Sequence, residues 1–196
     1  MKSKDRIIFE AFKLFCLKPY NQVTFADIEK ATNLSRGAIL YHFKTKENIF
    51  YSVINKYVLN RNSIAFIEKT KRENLQTFIL AFIELLKRNK RQMKKWGIKN
   101  MNMALLNIES SAYAFYPQMQ EKAVVWHDKQ LQVWQEVIAN AANNNEIRND
   151  IDLKVFAGLF EKIYLGLSFL SISRLQGVEI EELQKDFDNL YRLLKI

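Results

Sequence analysis

The sequence predicts an all-α protein. Only five glycines and two prolines occur in 196 residues, and 48% of the residues are apolar, a composition typical of long helices around a substantial core. Apolar residues recur at intervals of three and four along most of the chain, which is the helical period. The alternation of apolar and polar residues that marks a β-strand does not persist for more than a few residues. We therefore expect a fold built from helices.

Capping and helix-breaking residues predict the bounds of the first two helices. Apolar side chains at helical spacing indicate an amphipathic helix over residues 3–17. Pro19 ends it, because proline disfavours helical geometry in the residue before it. Thr24 is a good N-cap with Asp27 three residues later, so a short second helix is expected over residues 25–31.

A tight turn separates the second helix from the third. Asn33 tolerates the left-handed conformation where the backbone reverses, and Ser35 can cap a third helix over residues 35–41. A long fourth helix is predicted over residues 45–70. Two short helices joined by a tight turn and braced by a helix before them match a helix-turn-helix unit. We assign this domain to residues 1–46.

The remainder, residues 47–196, is predicted to form a second helical domain. Pro117 suits the first turn of a helix. Asp152 can cap the helix that follows the polar break "NNNEIRND", and Gly177 ends the penultimate helix. The predicted helices of this domain cover residues 73–92, 96–114, 117–143, 152–174 and 179–194.

Charge is distributed unevenly between the two halves of the chain. Residues 1–100 contain 21 Lys and Arg against 8 Asp and Glu, whereas residues 101–196 contain 9 against 13. This asymmetry predicts that the first half faces a polyanion. Positive charge alone does not distinguish nucleic acid from acidic lipid.

The predicted third helix has the two faces that a DNA-reading helix needs. Ile39 and Phe43 lie four residues apart and can pack on the first two helices. The other face carries donors for the major groove, where an arginine such as Arg36 pairs with guanine. Gly37 leaves room for a sugar-phosphate backbone, and Lys46 can meet a phosphate. The predicted DNA-binding residues are Thr24, Ser35, Arg36, Gly37, Tyr41, His42 and Lys46.

The segments "IIFEAFKLF" and "VTFADIEKATNLSRGAILYHFKTKENIF" resemble the TetR/AcrR family of transcriptional regulators. "NNNEIRNDIDLKVFAGLFEKIYLGL" is similar, more weakly, to the connection into that family's penultimate helix. Three positions depart from the family pattern: a glycine is missing before Thr24, Glu29 replaces a small residue, and Asn33 replaces the turn glycine. The matching positions are Thr24, Ile28, Ser35, Gly37, Tyr41, Phe43, Lys46 and Glu47.

The resemblance implies a homodimer that binds a palindromic operator in double-stranded DNA. The protein would be a repressor rather than an activator, released by a small, largely apolar effector and needing no cofactor. The last two helices would form a four-helix bundle with those of a second copy. Apolar stripes on these helices fit such an interface, although an intramolecular core would explain them equally. The predicted interface residues are Phe156, Phe160, Ile163, Leu167, Phe187, Leu190, Tyr191 and Leu194.

The resemblance also implies an effector pocket in the C-terminal domain. Aromatic side chains and methionines in the middle of the chain could line it, and their alternative role is ordinary helical core. The predicted lining residues are Phe78, Phe82, Trp96, Met103, Tyr113, Trp126, Trp134 and Tyr164.

A run of positive charge falls near the middle of the chain. A solvated helix end explains it, and contacts with flanking phosphates or with an anionic effector are the alternatives. The run consists of Lys87, Arg88, Lys90, Arg91, Lys94, Lys95 and Lys99.

Other functional classes find little support in the sequence. No paired carboxylates, Cys-His or Ser-His arrangement or glycine-rich phosphate loop predicts an enzyme, and two distant histidines with one cysteine make no metal set. Cys16 is expected to be buried. The alternative function is that of a basic helical protein docking on an acidic partner or membrane surface, with Tyr41 and His42 merely closing a core. No secretory signal or long apolar span is evident, so a cytoplasmic location is expected.

Overall fold

The computed structural model of the protein describes residues 2–60 and 63–196. Within these ranges the chain forms nine α-helices and no β-strand, which confirms the all-α prediction. The helices are α1 (Ser3–Leu17), α2 (Phe25–Thr32), α3 (Arg36–His42), α4 (Lys46–Val53), α5 (Leu75–Lys95), α6 (Met101–Phe115), α7 (Met119–Asn143), α8 (Leu153–Leu170) and α9 (Ile180–Leu194). Shorter helical turns lie at Tyr20–Gln22, Ile54–Leu59, Ile64–Phe66, Lys69–Arg72 and Ser171–Ser173.

The first compact unit comprises residues 2–60 and Met101–Ala123. Helix α1 lies at its centre and packs against α2, α4 and α6. In its core the rings of Phe15 and Phe50 meet edge to face with their centroids 5.0 Å apart, a favourable aromatic arrangement. Cys16 is buried as predicted, and burial raises the pKa of its thiol.

The second compact unit comprises residues 63–100 and Val124–Ile196. Trp134 is 2% exposed and lies at the centre of its core. The indole stacks on Phe160 at 4.9 Å and meets Phe78 edge-on at 5.0 Å. Near the start of α5, Glu146 accepts hydrogen bonds from the backbone N–H groups of Leu75 and Gln76. The carboxylate thus caps a helix N-terminus, where negative charge is favourable.

The predicted long helix over residues 45–70 is wrong. Helix α4 ends at Val53 and continues as a π-helical turn over Ile54–Leu59, in which Asn60 N–H bonds to Asn55 O. Beyond it, the Ser63 hydroxyl accepts a hydrogen bond from Ala65 N–H. The side-chain amide of Asn60 also donates to Asn55 O at 2.8 Å, and asparagine and serine side chains compete with helical hydrogen bonds in this way. Residues 61 and 62 of the prediction lie outside the described residues.

Two helix ends in the second half also differ from the prediction. Pro117 lies before α7 rather than in its first turn, because the next residue, Gln118, has φ +56°. Helix α8 ends at Leu170, and Gly177, with φ +67°, lies in the connection to α9 rather than at the helix end. The predicted cap is confirmed, since the Asp152 carboxylate accepts from two N–H groups of the first turn of α8.

The first compact unit extends beyond residue 46, where the predicted DNA-binding domain ends. Helices α4 and α6 pack on α1, so the unit includes residues from both predicted domains. The division of function at residue 46 stays a prediction.

Candidate nucleic-acid interface

Helices α2 and α3 are set by two caps and one left-handed residue. The Thr24 hydroxyl accepts from Asp27 N–H at 3.2 Å while the Asp27 carboxylate accepts from Thr24 N–H at 2.8 Å, a complete capping box. Asn33 ends α2 with φ 50° and ψ 42°, the left-handed conformation that was predicted. Ser35 caps α3 by accepting from Ala38 N–H. The helix-turn-helix geometry is therefore encoded within about a dozen residues.

Helix α3 has one buried and one exposed face. Ile39 is completely buried and Phe43 is nearly so. Ser35, Arg36 and Gly37 are exposed. Tyr41 is 81% exposed, although tyrosine rings are usually at least partly buried. His42 is half-buried. The two faces that the sequence predicts are present.

Arg36, the first residue of α3, contacts two residues of α2. Its Nε donates to Glu29 Oε1 at 2.7 Å, and its guanidinium carbon lies 5.8 Å from the centre of the Phe25 ring. The Arg36 side chain remains 60% exposed. Sequence reasoning marked Glu29 only as a departure from a family pattern; its contact with Arg36 depends on how α2 and α3 cross.

Lys46 opens α4 and contacts the α1–α2 connection. Its Nζ donates to the carbonyl oxygens of Tyr20 and Val23 at 3.0 and 2.9 Å and lies 4.2 Å from the centre of the Tyr20 ring. The two carbonyls account for two of the three N–H donors of the ammonium group. Lys46 was predicted as a phosphate-binding residue, and its main contacts within the chain are structural.

Tyr20, in the α1–α2 connection, contacts both α4 and α6 of the first unit. Its hydroxyl donates to Glu47 Oε1 at 2.9 Å, and its backbone N–H donates to Ser111 Oγ of α6 at 3.1 Å. Burial, and next the Glu47 carboxylate, raise the pKa of the Tyr20 phenol. The pKa of Glu47 is lowered by hydrogen bonds from the backbone N–H of Glu47 itself and from the side chains of Thr45 and Tyr20, so this carboxylate stays ionised.

An open groove of about 430 Å³ lies where α2 and α4 begin. Backbone N–H groups at helix N-termini favour anions, and the groove carries Lys44 and Lys46. Sequence reasoning did not include Lys44 in the site, although its position before the cap Thr45 is a signal that could have found it. The groove is lined by Asn21, Val23, Thr24, Phe25, Lys44, Thr45, Lys46 and Glu47.

Comparison with known proteins agrees with this geometry. Residues 7–53 match the family described as "Bacterial regulatory proteins, tetR family". The HTH-type transcriptional regulator QacR of Staphylococcus aureus is 44% identical over 55 residues, which cover 28% of this chain and 29% of QacR. IcaR of Staphylococcus aureus, named as a negative transcriptional regulator of the biofilm operon icaADBC, is 31% identical over 84 residues, covering 41% of this chain and 45% of IcaR. The matches thus span less than half of either relative.

Solved structures extend the likeness to the whole chain. A TetR-family regulator from Agrobacterium tumefaciens covers 99% of this chain, and the chain covers 98% of it, with a TM-score of 0.68 at 12% identity. The alignment with NalD, a repressor of the MexAB-OprM efflux pump in Pseudomonas aeruginosa, covers 99% of this chain and 97% of NalD. Its TM-score is 0.61 at 14% identity. Residues 7–53 thus match the TetR family, and the whole chain has the fold of the TetR-family structures. The structural likenesses, at these identities, establish the fold.

The predicted effector-pocket residues fall into two groups. Phe78, Phe82 and Trp134 are buried and pack ring to ring, and Tyr164 meets Phe82 edge-on at 5.2 Å. These four residues belong to the second unit, as do the half-buried Trp96 and Trp126. Met103 and Tyr113 are exposed and belong to the first unit.

Most of the predicted dimer-interface residues are buried within their own unit. Phe156 and Ile163 keep partial exposure. A side chain covered by its own chain has no surface to offer a second copy, so the structure favours the intramolecular core for the other residues. The buried residues are Phe160, Leu167, Phe187, Leu190, Tyr191 and Leu194.

The exposed side of α8 carries apolar residues that were not predicted as interface. Val155, Leu165 and Phe169 lie at helical spacing on one side, and Leu170 is also exposed. By length and composition alone, the stretch Leu153–Ser173 could cross a membrane, with a mean hydropathy of 1.5, although it contains Lys154, Glu161 and Lys162. Helices that are apolar on two sides also occur between the core and an interface of soluble proteins.

Proposed function

We propose that the protein is a cytoplasmic, dimeric transcriptional repressor that binds operator DNA through α3. The observation that carries this proposal is the polar, exposed face of a short capped helix whose opposite face is buried. Helices of this kind enter the major groove with their first residues towards the bases. The names of the relatives QacR and IcaR, a transcriptional regulator and a negative regulator, support the same function.

Each predicted DNA-binding residue has a role in this proposal. Arg36 reads a base, and Gly37 lets a backbone approach, since the space that a Cβ would take there is open apart from the chain neighbours and the backbone of α3 itself. Tyr41 and His42 contact phosphate or base. Thr24, Ser35 and Lys46 stand at the beginnings of α2, α3 and α4, where N–H groups, a hydroxyl and a cation can hold phosphates.

Selection from random DNA duplexes tests the binding. The wild-type protein is expected to enrich a roughly palindromic site whose half-sites are about 34–36 Å apart, as two-fold symmetry requires. Arg36→Ala is expected to relax base preference at one position in each half-site. Lys44→Ala is expected to weaken all duplexes alike and to reduce the salt dependence by about one phosphate contact. Lys129→Ala, an exposed cation on α7, is the control; equal enrichment of all duplexes by wild type would refute the proposal.

The exposed side of α8 supports the proposed dimer. A second copy would cover Val155, Leu165 and Phe169, and a two-fold axis would pair the same patch on both subunits. At Gly166, on this side, the space that a Cβ would take is open apart from the chain neighbours and the backbone of α8 itself, so a second helix can approach closely. Light scattering at micromolar concentration tests the dimer, and a monomer at all concentrations would refute it.

The proposed effector is small and largely apolar. To release the protein from the operator, it needs only a modest binding preference for the conformation that binds DNA poorly. All three tryptophans of the chain, Trp96, Trp126 and Trp134, are among the proposed pocket residues. A ligand that releases DNA is therefore expected to change tryptophan emission in the same concentration range. A releasing ligand that leaves the emission unchanged would refute the location of this pocket.

A further inference from the structure

We propose that Glu29 is a positioning residue that determines which edge of the Arg36 guanidinium faces DNA. In this role Glu29 increases discrimination between bases and lowers the overall affinity for DNA. The inference rests on the proposed binding of DNA through α3. It concerns a residue that is not among the predicted contacts and that is not required to touch DNA itself.

The hydrogen bond between Glu29 and Arg36 uses one particular donor. A guanidinium group presents five N–H donors in a rigid fork. Its bidentate edges are the side edge, which includes Nε, and the end edge, formed by Nη1 and Nη2. Glu29 Oε1 accepts from Nε at 2.7 Å, so the side edge is engaged on α2. The end edge is then the bidentate pair for a base such as guanine, with its O6 and N7 acceptors.

A second residue of α2, Phe25, lies near the same group. The Arg36 guanidinium carbon lies 5.8 Å from the centre of the Phe25 ring, a distance at which a cation is attracted to an aromatic face. Phe25 and Glu29 lie one turn apart on α2. Two residues of α2 therefore contact the arginine, and a pre-positioned arginine loses less freedom when it meets a base.

The ion pair is poorly suited to a role in stability. The side chains of Arg36 and Glu29 are 60% and 29% exposed, and exposed ion pairs add little to folding. A carboxylate on a face that meets DNA repels phosphates, so Glu29 lowers the affinity for DNA of any sequence. The remaining benefit of Glu29 is the orientation of Arg36. Removal of Glu29 should therefore lower the discrimination between bases and raise the affinity for DNA of any sequence.

The experiment compares Glu29→Ala with wild type on three duplexes: the selected operator, the operator changed at the position that Arg36→Ala identifies, and a random duplex. Glu29→Ala is expected to reduce discrimination at that position about fivefold or more, part of what a bidentate base contact supplies. Its affinity for the random duplex is expected to exceed that of wild type, and an equal or lower affinity would overturn the proposed cost in affinity. Glu29→Gln keeps an oxygen acceptor and is expected to retain part of the discrimination.

Glu10→Ala is the matched control. Glu10 pairs with Lys13 on α1 of the same unit, so the variant removes one acidic charge without touching Arg36. It is expected to leave base preference unchanged. In the Arg36→Ala background, Glu29→Ala is expected to cause no further loss of discrimination, because its proposed effect passes through the arginine.

The outcomes separate this inference from the proposed function. Unchanged discrimination in Glu29→Ala, or an equal loss at every base position, would overturn the positioning role while the wild-type preference stands. A wild-type protein without preference for any duplex would overturn both proposals.

Discussion

The exposed faces of α3 and α8 are built in different ways. The face of α3 is polar, and its position is set by contacts among residues 24–47, such as the Thr24 capping box and the bond between Glu29 and Arg36. The face of α8 carries exposed apolar residues beside Lys154 and Lys162, and the opposite side of that helix, with Phe160, packs on Trp134. An exposed face can thus be positioned by capping contacts between residues close in sequence, or by core packing between residues far apart in sequence.

This difference separates the effects of substitution. On α3, an exposed side chain can be changed with little cost to folding, and the effect should appear in DNA binding. In the second unit, an aromatic residue of the core should affect folding first. The predictions below test this separation from the largest expected effect to the smallest.

Trp134→Ala should cause the largest change. The indole is 2% exposed and contacts Phe78, Phe160 and Phe187, so its removal leaves a large cavity. We expect the free energy of unfolding to fall by about 3–5 kcal/mol, measured by urea denaturation at one protein concentration. Tyr41→Ala, on an exposed aromatic residue, is the comparison and should change stability by about 0.5 kcal/mol or less. Equal losses in the two variants would contradict the separation.

Phe169→Asp should weaken the proposed dimer. Phe169 is 69% exposed in the single chain, so the substitution costs little in the monomer but would bury a charge in the interface. We expect the dimer to be destabilised by about 2 kcal/mol or more, measured by sedimentation over a range of concentrations. Leu175→Asp, at a residue that is 90% exposed in the connection to α9, is the control. An unchanged dimer would mean that this side of α8 faces solvent.

Local signals allowed the first unit to be predicted well. The predicted caps Thr24 and Ser35 each accept the expected backbone hydrogen bond, because a cap depends on residues three positions away. The buried Ile39 and the exposed Arg36 follow from helical period alone. The contact of Glu29 with Arg36 could not be predicted, since it depends on the crossing of two helices.

The second unit was predicted less well for a physical reason. An apolar stripe indicates that a helix face is covered and leaves open which partner covers it. Phe187 and Leu194 were therefore predicted as interface residues but are buried in their own unit, while the exposed Phe169 was not selected. In the first unit, by contrast, the end of α4 at Val53 was missed because the helical backbone continues past it into the π-helical turn over Ile54–Leu59.

Tyr41→Ala should reduce DNA binding while the fold is retained. Tyr41 is 81% exposed and contacts the neighbouring His42 ring edge-on at 5.1 Å, so little packing is lost. We expect operator affinity to fall about tenfold, or about 1.4 kcal/mol, in fluorescence anisotropy. Tyr41→Phe keeps the ring and loses the hydroxyl, so it shows whether a hydrogen bond or the ring makes the contact. Operator affinity equal to that of wild type in Tyr41→Ala would exclude Tyr41 from the interface.

Thr24→Val should produce the smallest change, in the titration of Asp27. Hydrogen bonds from the Thr24 backbone N–H and hydroxyl lower the pKa of Asp27 below its usual value. A carboxylate with a lowered pKa in the folded state adds stability above the pKa of the unfolded state, about 3.9, and loses it as the pH falls through the folded value. Valine removes the hydroxyl and keeps the N–H, so the pKa of Asp27 should rise part of the way towards normal. Carbon-detected NMR titration measures it, with Thr24→Ser as the control that retains the hydroxyl; an unchanged pKa in Thr24→Val would assign the whole effect to the backbone bond of the cap.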